Sequence, residues 1–177
     1  MGNLADGSIT TNGLQYVNLE PDNFARLRLR KGELLFNRTN SYDLVGKTSL
    51  FDLEGEFVFA SYLIRVILNV DRLDPRFANY YLNTRWAQTG LKHLATRAVG
   101  QSNINATKLR GFMIPLPTRE EQSTIATMLT TVDEKIRNEE ARKRALESLF
   151  HSLLRDLMTG RVRVHELPPS LTFGGET

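Results

Sequence analysis

Apolar residues alternate or run together in several segments of the first part of the chain, a pattern typical of β-strands. Residues 26–38 alternate Arg and Leu and then continue apolar, with a turn expected at Lys31 and Gly32. Residues 57–70 are rich in aromatic and β-branched side chains, which favours one or two further strands. A short last strand is expected at 112–117. The pattern therefore predicts strands throughout the first two thirds of the chain.

The apolar spacing becomes helical between the second and the last of these segments. Asp74 and Pro75 supply an N-cap and a proline for the first turn, and apolar residues then recur three and four positions apart. We expect one or two helices there, broken near Thr84 and ended by Gly100. Asn105 can cap a further short helical turn. This part of the chain is therefore expected to mix helices and strands.

A single long helix is predicted after the mixed region. Residues 118–158 contain neither Gly nor Pro, so nothing in the sequence interrupts a helix of about forty residues. Thr118 and Glu121 have the spacing of a capping box at its start. Gly160 is expected to end it.

The apolar residues of this helix form a heptad seam, in which they recur at alternating steps of three and four. Glu139 and Lys143 interrupt the seam at two corresponding positions and are expected to pair with each other. A helix with one apolar stripe of this length favours a partner helix, although packing on its own domain is the alternative. The residues of this predicted helix–helix interface are Ile125, Leu129, Val132, Ile136, Leu146, Phe150, Leu153 and Leu157.

Composition and charge narrow the possible functions. The chain has 177 residues and no cysteine, which excludes a disulfide framework, a thiol nucleophile and a cysteine zinc site. Residues 1–117 hold 14 Lys/Arg against 10 Asp/Glu, whereas residues 118–158 hold 7 against 8. Any affinity for a polyanion is therefore expected in the first two thirds.

Targeting signals are also missing from the pattern. The polar N-terminal residues do not resemble a signal peptide, and no apolar run approaches the roughly 18 residues of a membrane span. We therefore expect a cytoplasmic protein without membrane association.

No constellation of catalytic residues is found in the sequence. Gly46 and Lys47 suggest a phosphate-binding loop, but Ser41 occupies the position where such a loop needs its first glycine. The histidines lack the spacing of metal ligands; they are His93, His151 and His165. We therefore expect a non-catalytic protein with no catalytic residues, no metal site and no cofactor.

Two short segments carry the side chains that discriminate base edges in the DNA major groove. Asn and Gln pair with adenine, Arg and Lys with guanine, and Ser and Thr adapt to either. Asn and Ser are also common turn and cap formers, and the residue types alone leave both interpretations open. The candidate DNA-binding residues are Arg38, Thr39, Asn40, Ser41, Tyr42 and Lys47 in the first segment, and Gln101, Ser102, Asn103, Asn105 and Lys108 in the second.

A series of motifs in a fixed order resembles one known family over roughly residues 3–165. The motifs are "KGELLFNR" followed by Gly46-Lys47, then "DPRF", "GQSNIN", "LRGFMIPLP", "REEQ" and finally "LLRDLMTGRVRV". Together they resemble the C-terminal half of the specificity subunit of type I restriction–modification systems. The resemblance implies an α+β fold, in which a mixed α/β target recognition domain is followed by a long coiled-coil-forming helix.

The resemblance also implies a division of the chain and a set of partners. Residues 1–117 correspond to the target recognition domain, 118–160 to a coiled-coil spacer helix and 161–177 to a C-terminal tail. Family domains normally begin several strands earlier, so the domain is expected to be truncated at its N-terminus. The implied partners are double-stranded DNA, modification (methyltransferase) subunits, a restriction subunit, and a second specificity half or a second copy of the chain through the long helix.

Two functions follow from these observations. The first is sequence-specific DNA recognition, by which the chain directs methyltransferase and restriction subunits to a target site. The alternative is a coiled-coil interaction scaffold that does not bind DNA, a remnant of the same family. Binding to duplex DNA that falls steeply with salt distinguishes the first from the second.

Overall fold

The computed structural model describes residues 2–5, 7–98 and 100–163. The predicted C-terminal tail lies outside the described residues from position 164 onward, as does His165. The chain divides into two compact units, one ending at Leu129 and the other beginning at Thr130. The described elements confirm the predicted fold class, a mixture of short strands and helices followed by one long helix.

The elements follow one another in the order β1 (Leu4–Ala5), β2 (Ser8–Ile9), α1 (Pro21–Leu27), β3 (Leu34–Asn37), β4 (Thr39–Asn40), β5 (Thr48–Leu50), β6 (Leu63–Val66), α2 (Pro75–Leu82), α3 (Arg85–His93), β7 (Thr96–Ala98), β8 (Gln101–Asn103), α4 (Ala106–Arg110) and α5 (Arg119–Met158).

Two three-stranded antiparallel sheets organise the first unit. The core sheet has the strand order β5-β3-β6, and the polar sheet has the order β4-β8-β7. The strands β1 and β2 form a separate antiparallel pair. Because β3 and β4 are separated by one residue, Arg38, the chain passes directly from the centre of the core sheet to the edge of the polar sheet.

The core sheet is buried on both faces because its central strand has apolar residues at consecutive positions. Leu34 and Phe36 lie in one apolar cluster, which also contains Leu91 of α3 and Ile104 after β8. Leu35 faces the opposite way, into a second cluster that includes Phe51. Successive side chains of a strand point to opposite faces, so a run of apolar residues fills both. The polar sheet is thereby attached to the core through Ile104.

The predicted strands are confirmed only in part. The strand expected over 26–38 is confined to β3, since its first two residues belong to α1, which Pro21 opens. The turn at Lys31 and Gly32 is confirmed, with Gly32 at φ +88°. Residues 57–70 contain a single named strand, β6.

The strand predicted at 112–117 is wrong. Its residues are described and form no regular structure. Pro115 and Pro117 have no N–H to donate to a sheet, which explains the absence of pairing. Phe112 and Ile114 instead pack against the larger apolar cluster. The apolar character of this segment serves the core and not a sheet.

The helix starts are confirmed at the predicted capping residues. The Asp74 carboxylate accepts hydrogen bonds from the backbone N–H groups of Arg76 (2.8 Å) and Phe77 (3.3 Å) at the start of α2. Thr84 caps α3, and Asn105 caps α4 by accepting from the N–H of Lys108 at 2.8 Å. The prediction that Gly100 ends the helical segment is wrong, because α3 ends at His93 and Gly100 lies in the turn between β7 and β8 with φ +73°.

The long helix α5 begins with the predicted capping box. The N–H of Glu121 donates to Thr118 Oγ1 at 3.3 Å, and the N–H of Thr118 donates to Glu121 Oε2 at 2.9 Å. Gly160, at φ +66°, follows its end. Glu139 and Lys143 do not pair with each other as expected; Glu139 contacts Arg142 and Lys143 contacts Glu147, each at 3.8 Å. Both partners lie one helical turn away, so several pairings compete on this exposed surface.

The seam residues of α5 are largely exposed in the single chain. Examples are Val132 at 54%, Leu146 at 56% and Phe150 at 61%. Further exposed apolar residues, Leu149 and Leu154, flank the seam near its C-terminal end. The interface itself therefore stays a prediction. No helix of the described residues is long and apolar enough to cross a membrane.

Candidate nucleic-acid interface

The polar sheet brings the two predicted DNA-binding segments side by side. Thr39 pairs with Asn103, and Asn40 pairs with Ser102, in the antiparallel register of β4 and β8. The N–H of Ile104 donates to the carbonyl oxygen of Arg38 at 2.9 Å and extends this pairing by one residue. Segments that are more than sixty residues apart in the sequence thus form one continuous surface.

The register divides the predicted residues between two faces of the polar sheet. Thr39, Asn103 and Thr96 are aligned across β4, β8 and β7, so their side chains lie in one row on the same face. Gln101 shares this face because it is two residues from Asn103 in β8. We call this side, with Thr39, Thr96, Gln101 and Asn103, the outer face. Asn40 and Ser102 belong to the opposite face.

Exposure differs between the two faces. Gln101 and Thr96 are exposed, and Thr39 and Asn103 are partly exposed. Ser102 is only 3% exposed. Asn40, on the same face as Ser102, is partly exposed. The exposed Gln101 and Thr96 thus lie on the outer face, whereas the buried Ser102 lies on the opposite face.

Hydrogen bonds fix the row on the outer face. Asn103 Nδ2 donates to Thr39 Oγ1 at 2.7 Å. Lys108 Nζ donates to Thr96 Oγ1 at 3.0 Å and to the carbonyl oxygen of Leu94, just after α3, at 3.1 Å. The ammonium group predicted to contact phosphate is thus held at the edge of the row.

The first segment is held by contacts of its own. Asn40 Oδ1 accepts from the N–H of Ser41 at 2.8 Å, a local turn contact of the kind that Asn commonly makes. The Tyr42 ring lies 5.7 Å from Lys92 Nζ of α3, a cation–π distance. Gly46 has φ +92°, and its carbonyl oxygen accepts from Gln88 Nε2 at 3.0 Å. The predicted turn at Gly46 and Lys47 is therefore fixed against α3.

Two buried polar groups at the junction of the two sheets lack partners. Among the described residues, neither Nδ2 nor Oδ1 of the fully buried Asn37 has a hydrogen bond, and the same holds for Arg38 Nε. Burying such groups without partners destabilises a fold. Two polar groups without hydrogen-bond partners among the described residues thus lie where the two sheets meet.

A run of sequence without any acidic residue includes two strands of the polar sheet, and the charge count over 1–117 hid it. Residues 75–119 hold seven Lys/Arg and no Asp/Glu, whereas residues 1–74 hold eight against ten. The run covers α2, α3, α4, β7 and β8. A count in shorter windows would have found it. The positive charge of the chain is therefore concentrated around the second predicted reading segment.

Helix α3 adds exposed residues that are not among the predicted DNA-binding residues. Trp86 is 84% exposed, and Arg85, Thr89 and His93 are exposed on neighbouring turns of α3. Within the described parts of the chain, no group of three His, Cys, Asp or Glu residues could hold a metal ion. The chemistry of this surface is that of amides, hydroxyls, an aromatic ring and positive charges.

The chain is similar to known specificity subunits of type I restriction enzymes. The model of the family described as "Type I restriction modification DNA specificity domain" matches residues 7–148. The chain is 30% identical over 165 residues to the putative type I restriction enzyme MjaX specificity subunit of Methanocaldococcus jannaschii, covering 92% of this chain and 39% of that protein. It is 26% identical to the type I restriction enzyme StySPI specificity subunit of Salmonella potsdam, covering 89% of this chain and 36% of that protein.

The fold is also found in a solved structure. The crystal structure of the type I restriction–modification system S subunit from M. genitalium superposes with a TM-score of 0.56 at 22% identity, over 73% of this chain and 33% of that chain. At this identity the likeness concerns the fold. The chain spans less than two fifths of the length of the relatives named above.

Proposed function

Because the chain belongs to the family of type I restriction–modification DNA specificity domains, we propose that it recognises a specific sequence in double-stranded DNA within a restriction–modification complex. The observation that carries this proposal is the polar sheet, where two distant segments rich in amides and hydroxyls are paired and the second of them lies in an acid-free stretch. Amides and hydroxyls read base edges, and positive side chains contact phosphates. One surface thus offers both kinds of contact.

The positive residues around the sheet have the simpler role. Arg38, Lys47 and Lys108 offer only donors, and attraction to phosphate is the commonest use of such groups. Arg85 on α3 is exposed in the same acid-free stretch and joins them. These contacts supply affinity for any duplex, whereas the amides supply the preference for one sequence.

Salt dependence tests the proposal, and the chain bound to a modification subunit is the sample of choice. Each neutralised phosphate contributes about −0.9 to the slope of log K against log salt, so several contacts give a steep decline in affinity. We expect such a decline for duplex DNA, with tighter binding to one sequence. Salt-independent or undetectable duplex binding by a complex that still assembles contradicts the proposal and favours the non-DNA-binding scaffold.

We propose further that methylation and cleavage are carried out by partner subunits. The sequence has none of the motifs by which a protein binds S-adenosylmethionine or flips a base, and the surface described above offers no constellation of acid, base and nucleophile. The purified chain is expected not to consume S-adenosylmethionine, whereas the complex with a modification subunit does. Turnover by the chain above that of a mock purification contradicts this assignment.

The exposed seam of α5 is proposed to bind a partner helix, from a second specificity half or a second copy of the chain. Burying an apolar side chain of this size stabilises an interface by about 1.5–3 kcal/mol before entropic costs. Sedimentation of a variant with Leu146→Asp and Leu153→Asp is expected to show loss of the assembled state.

A matched control has Ala141→Asp and Ser148→Asp, which introduce the same charges at heptad positions away from the seam. This control is expected to remain assembled. An unchanged mass for the seam variant, where the parent is assembled, contradicts the proposed interface.

A further inference from the structure

We propose that the outer face of the polar sheet is the base-reading surface, that Asn103 on it reads an adenine, and that Thr39 is the positioning residue for Asn103. Asn40 and Ser102, on the opposite face, do not read. This inference rests on the proposed function and specifies how the same site selects its DNA sequence.

The register of β4, β8 and β7 determines which side chains share a face of the polar sheet. Directly opposed residues of antiparallel strands place their side chains on the same face, and residues one apart place theirs on opposite faces. Thr39, Asn103 and Thr96 are opposed across the three strands. Asn40 and Ser102 are each shifted by one residue from that row. One rigid duplex surface cannot lie against both faces of a sheet, so the candidate readers are divided into two sets.

Burial and hydrogen bonding together favour one of the two sets. Ser102 is 3% exposed, and Asn40, although partly exposed, has its side-chain oxygen engaged by the N–H of Ser41. On the outer face, the described residues form no hydrogen bond with the side chain of the exposed Gln101 or with Asn103 Oδ1. Groups that are already satisfied inside the protein gain less from a base than groups that face solvent. The outer face therefore offers the available hydrogen-bonding groups.

The contact between Asn103 and Thr39 sets which base edge fits. An amide has two N–H donors and one carbonyl acceptor, and one donor is used by Thr39 Oγ1 at 2.7 Å. One donor and one acceptor remain. Adenine presents the complementary pair in the major groove, an acceptor at N7 and a donor at N6, whereas guanine presents two acceptors. Asn103 in this orientation matches adenine.

The row also predicts the spacing of the bases read. Adjacent strands lie about 4.8 Å apart, so the row from Thr39 to Thr96 spans about 10 Å. Base pairs rise about 3.4 Å along the duplex axis, so side chains on this row reach about three successive pairs. Thr96, which the sequence patterns did not single out, is the residue at the far end of the row and is oriented by Lys108.

The test is a selection of duplexes from a randomised library by the complex of the chain with its modification subunits, followed by sequencing of the bound fraction. Asn103→Ala is expected to weaken binding to the selected sequence by about 5- to 150-fold and to remove the adenine preference at one position. Asn40→Ala, the same change on the opposite face, is expected to keep the selected sequence. Asn18→Ala, at an exposed residue far from both sheets in the sequence, is the neutral control.

Variants of Thr39 separate positioning from general damage to the sheet. Thr39→Val removes the hydroxyl at constant shape, and we expect the adenine preference to broaden at the same position that Asn103→Ala affects. Thr39→Ser keeps the hydroxyl and is expected to restore the preference. Thr96→Val is expected to act within about three base pairs of that position. Thermal unfolding of each variant is measured alongside, and Gln101→Ala replaces Asn103→Ala if the latter does not fold.

The outcomes distinguish this inference from the function it rests on. If the unaltered complex selects no sequence, the proposed function fails. If the unaltered complex selects a sequence, but Asn40→Ala changes it and Asn103→Ala does not, the outer face is not the reading surface. Equal loss on all duplexes for Asn103→Ala, or for Gln101→Ala in its place, also overturns the inference.

Discussion

The core sheet and the polar sheet share one architecture but differ in which side chains they expose. Both have three short antiparallel strands, and the two are joined at Arg38 between β3 and β4. Leu34 and Phe36 of the core sheet are fully buried, whereas Gln101 and Thr96 of the polar sheet are exposed. Strand pairing alone therefore does not define a site. A site depends on which side chains of each strand face solvent and which face the core.

The motifs that identify the family belong mostly to the structural frame. "DPRF" supplies the cap of α2 and the buried Phe77, and "REEQ" supplies Glu121 of the capping box and the buried Gln122. Gln122 accepts from the N–H of Asp74 at 2.7 Å and donates to the carbonyl oxygens of Arg72 at 3.0 Å and Pro117 at 2.8 Å. These contacts build the domain, whereas the motif "GQSNIN" contains Gln101 and Asn103 of the proposed reading surface.

The largest expected effect breaks the core sheet. Phe36→Ala removes a fully buried ring from the central strand and is expected to cost about 3–5 kcal/mol of unfolding free energy, because the transfer term and the cavity add. Tyr16→Ala, at a fully exposed aromatic, is expected to stay within about 0.5 kcal/mol of the parent. Urea unfolding measures both. A loss below about 1 kcal/mol for Phe36→Ala would show that β3 is not the centre of the core.

A pair of glutamines compares the frame with the polar sheet through one residue type. Gln122→Ala removes three hydrogen bonds to backbone groups and a longer one from Arg119, and it leaves buried backbone groups without partners, so a loss of about 2–3 kcal/mol in unfolding free energy is expected. Gln101→Ala, at an exposed side chain, is expected to leave stability unchanged within about 0.5 kcal/mol. Equal losses for the two, in the same urea titrations, would remove the distinction between frame and reading surface.

A stabilising change is expected at the last residue of β3. Asn37→Leu replaces a buried amide, unpartnered among the described residues, with an apolar side chain of similar branching. Removing unsatisfied polar atoms from the core is expected to raise the unfolding free energy by about 1–2 kcal/mol. The same change at the exposed Asn18 serves as control. If Asn37→Leu is destabilised instead, the amide has a structural partner that the described residues do not supply.

The smallest effect concerns acid stability of the frame. Burial raises the pKa of the Asp74 carboxyl, but hydrogen bonds from the backbone N–H groups of Phe77 and Arg76, together with the charge of Arg76 and a bond from Arg119, outweigh it and hold this pKa below its ordinary value. A carboxyl with a lowered pKa contributes stability at neutral pH that is lost as the pH falls through that pKa.

The parent is therefore expected to lose stability below about pH 4 more steeply than Asp74→Asn, whose side chain also caps helices. Unfolding titrations at a series of pH values make the comparison. Identical pH profiles for the two proteins would show that Asp74 is not linked to folding through its charge.

Local signals predicted the helices well, and long-range pairing explains what they missed. Capping residues such as Asp74, Thr84 and Thr118 act within one helical turn, so the sequence reveals their role directly. The pairing of Thr39 with Asn103 joins segments 64 positions apart, and no local pattern gives its register. Without the register, Asn40 and Asn103 looked equivalent, although they lie on opposite faces. The apolar run at 112–117 suggested a strand, but Pro115 and Pro117 have no N–H groups to donate to a neighbouring strand.

Gln101 of the polar sheet is proposed to read a base and Lys108 beside it to contact a phosphate, and a comparison of the two variants separates these roles. Affinities of Gln101→Ala and Lys108→Ala, in complex with the modification subunits, are measured on cognate and random duplexes over a series of salt concentrations. Lys108→Ala is expected to weaken binding to cognate and random duplexes and to lower the salt slope by about one on both, because it removes one phosphate contact. Gln101→Ala is expected to keep the slope and cost about 1–3 kcal/mol at a single base position. An equal loss on cognate and random DNA for both variants, or no change for either, would contradict the claim.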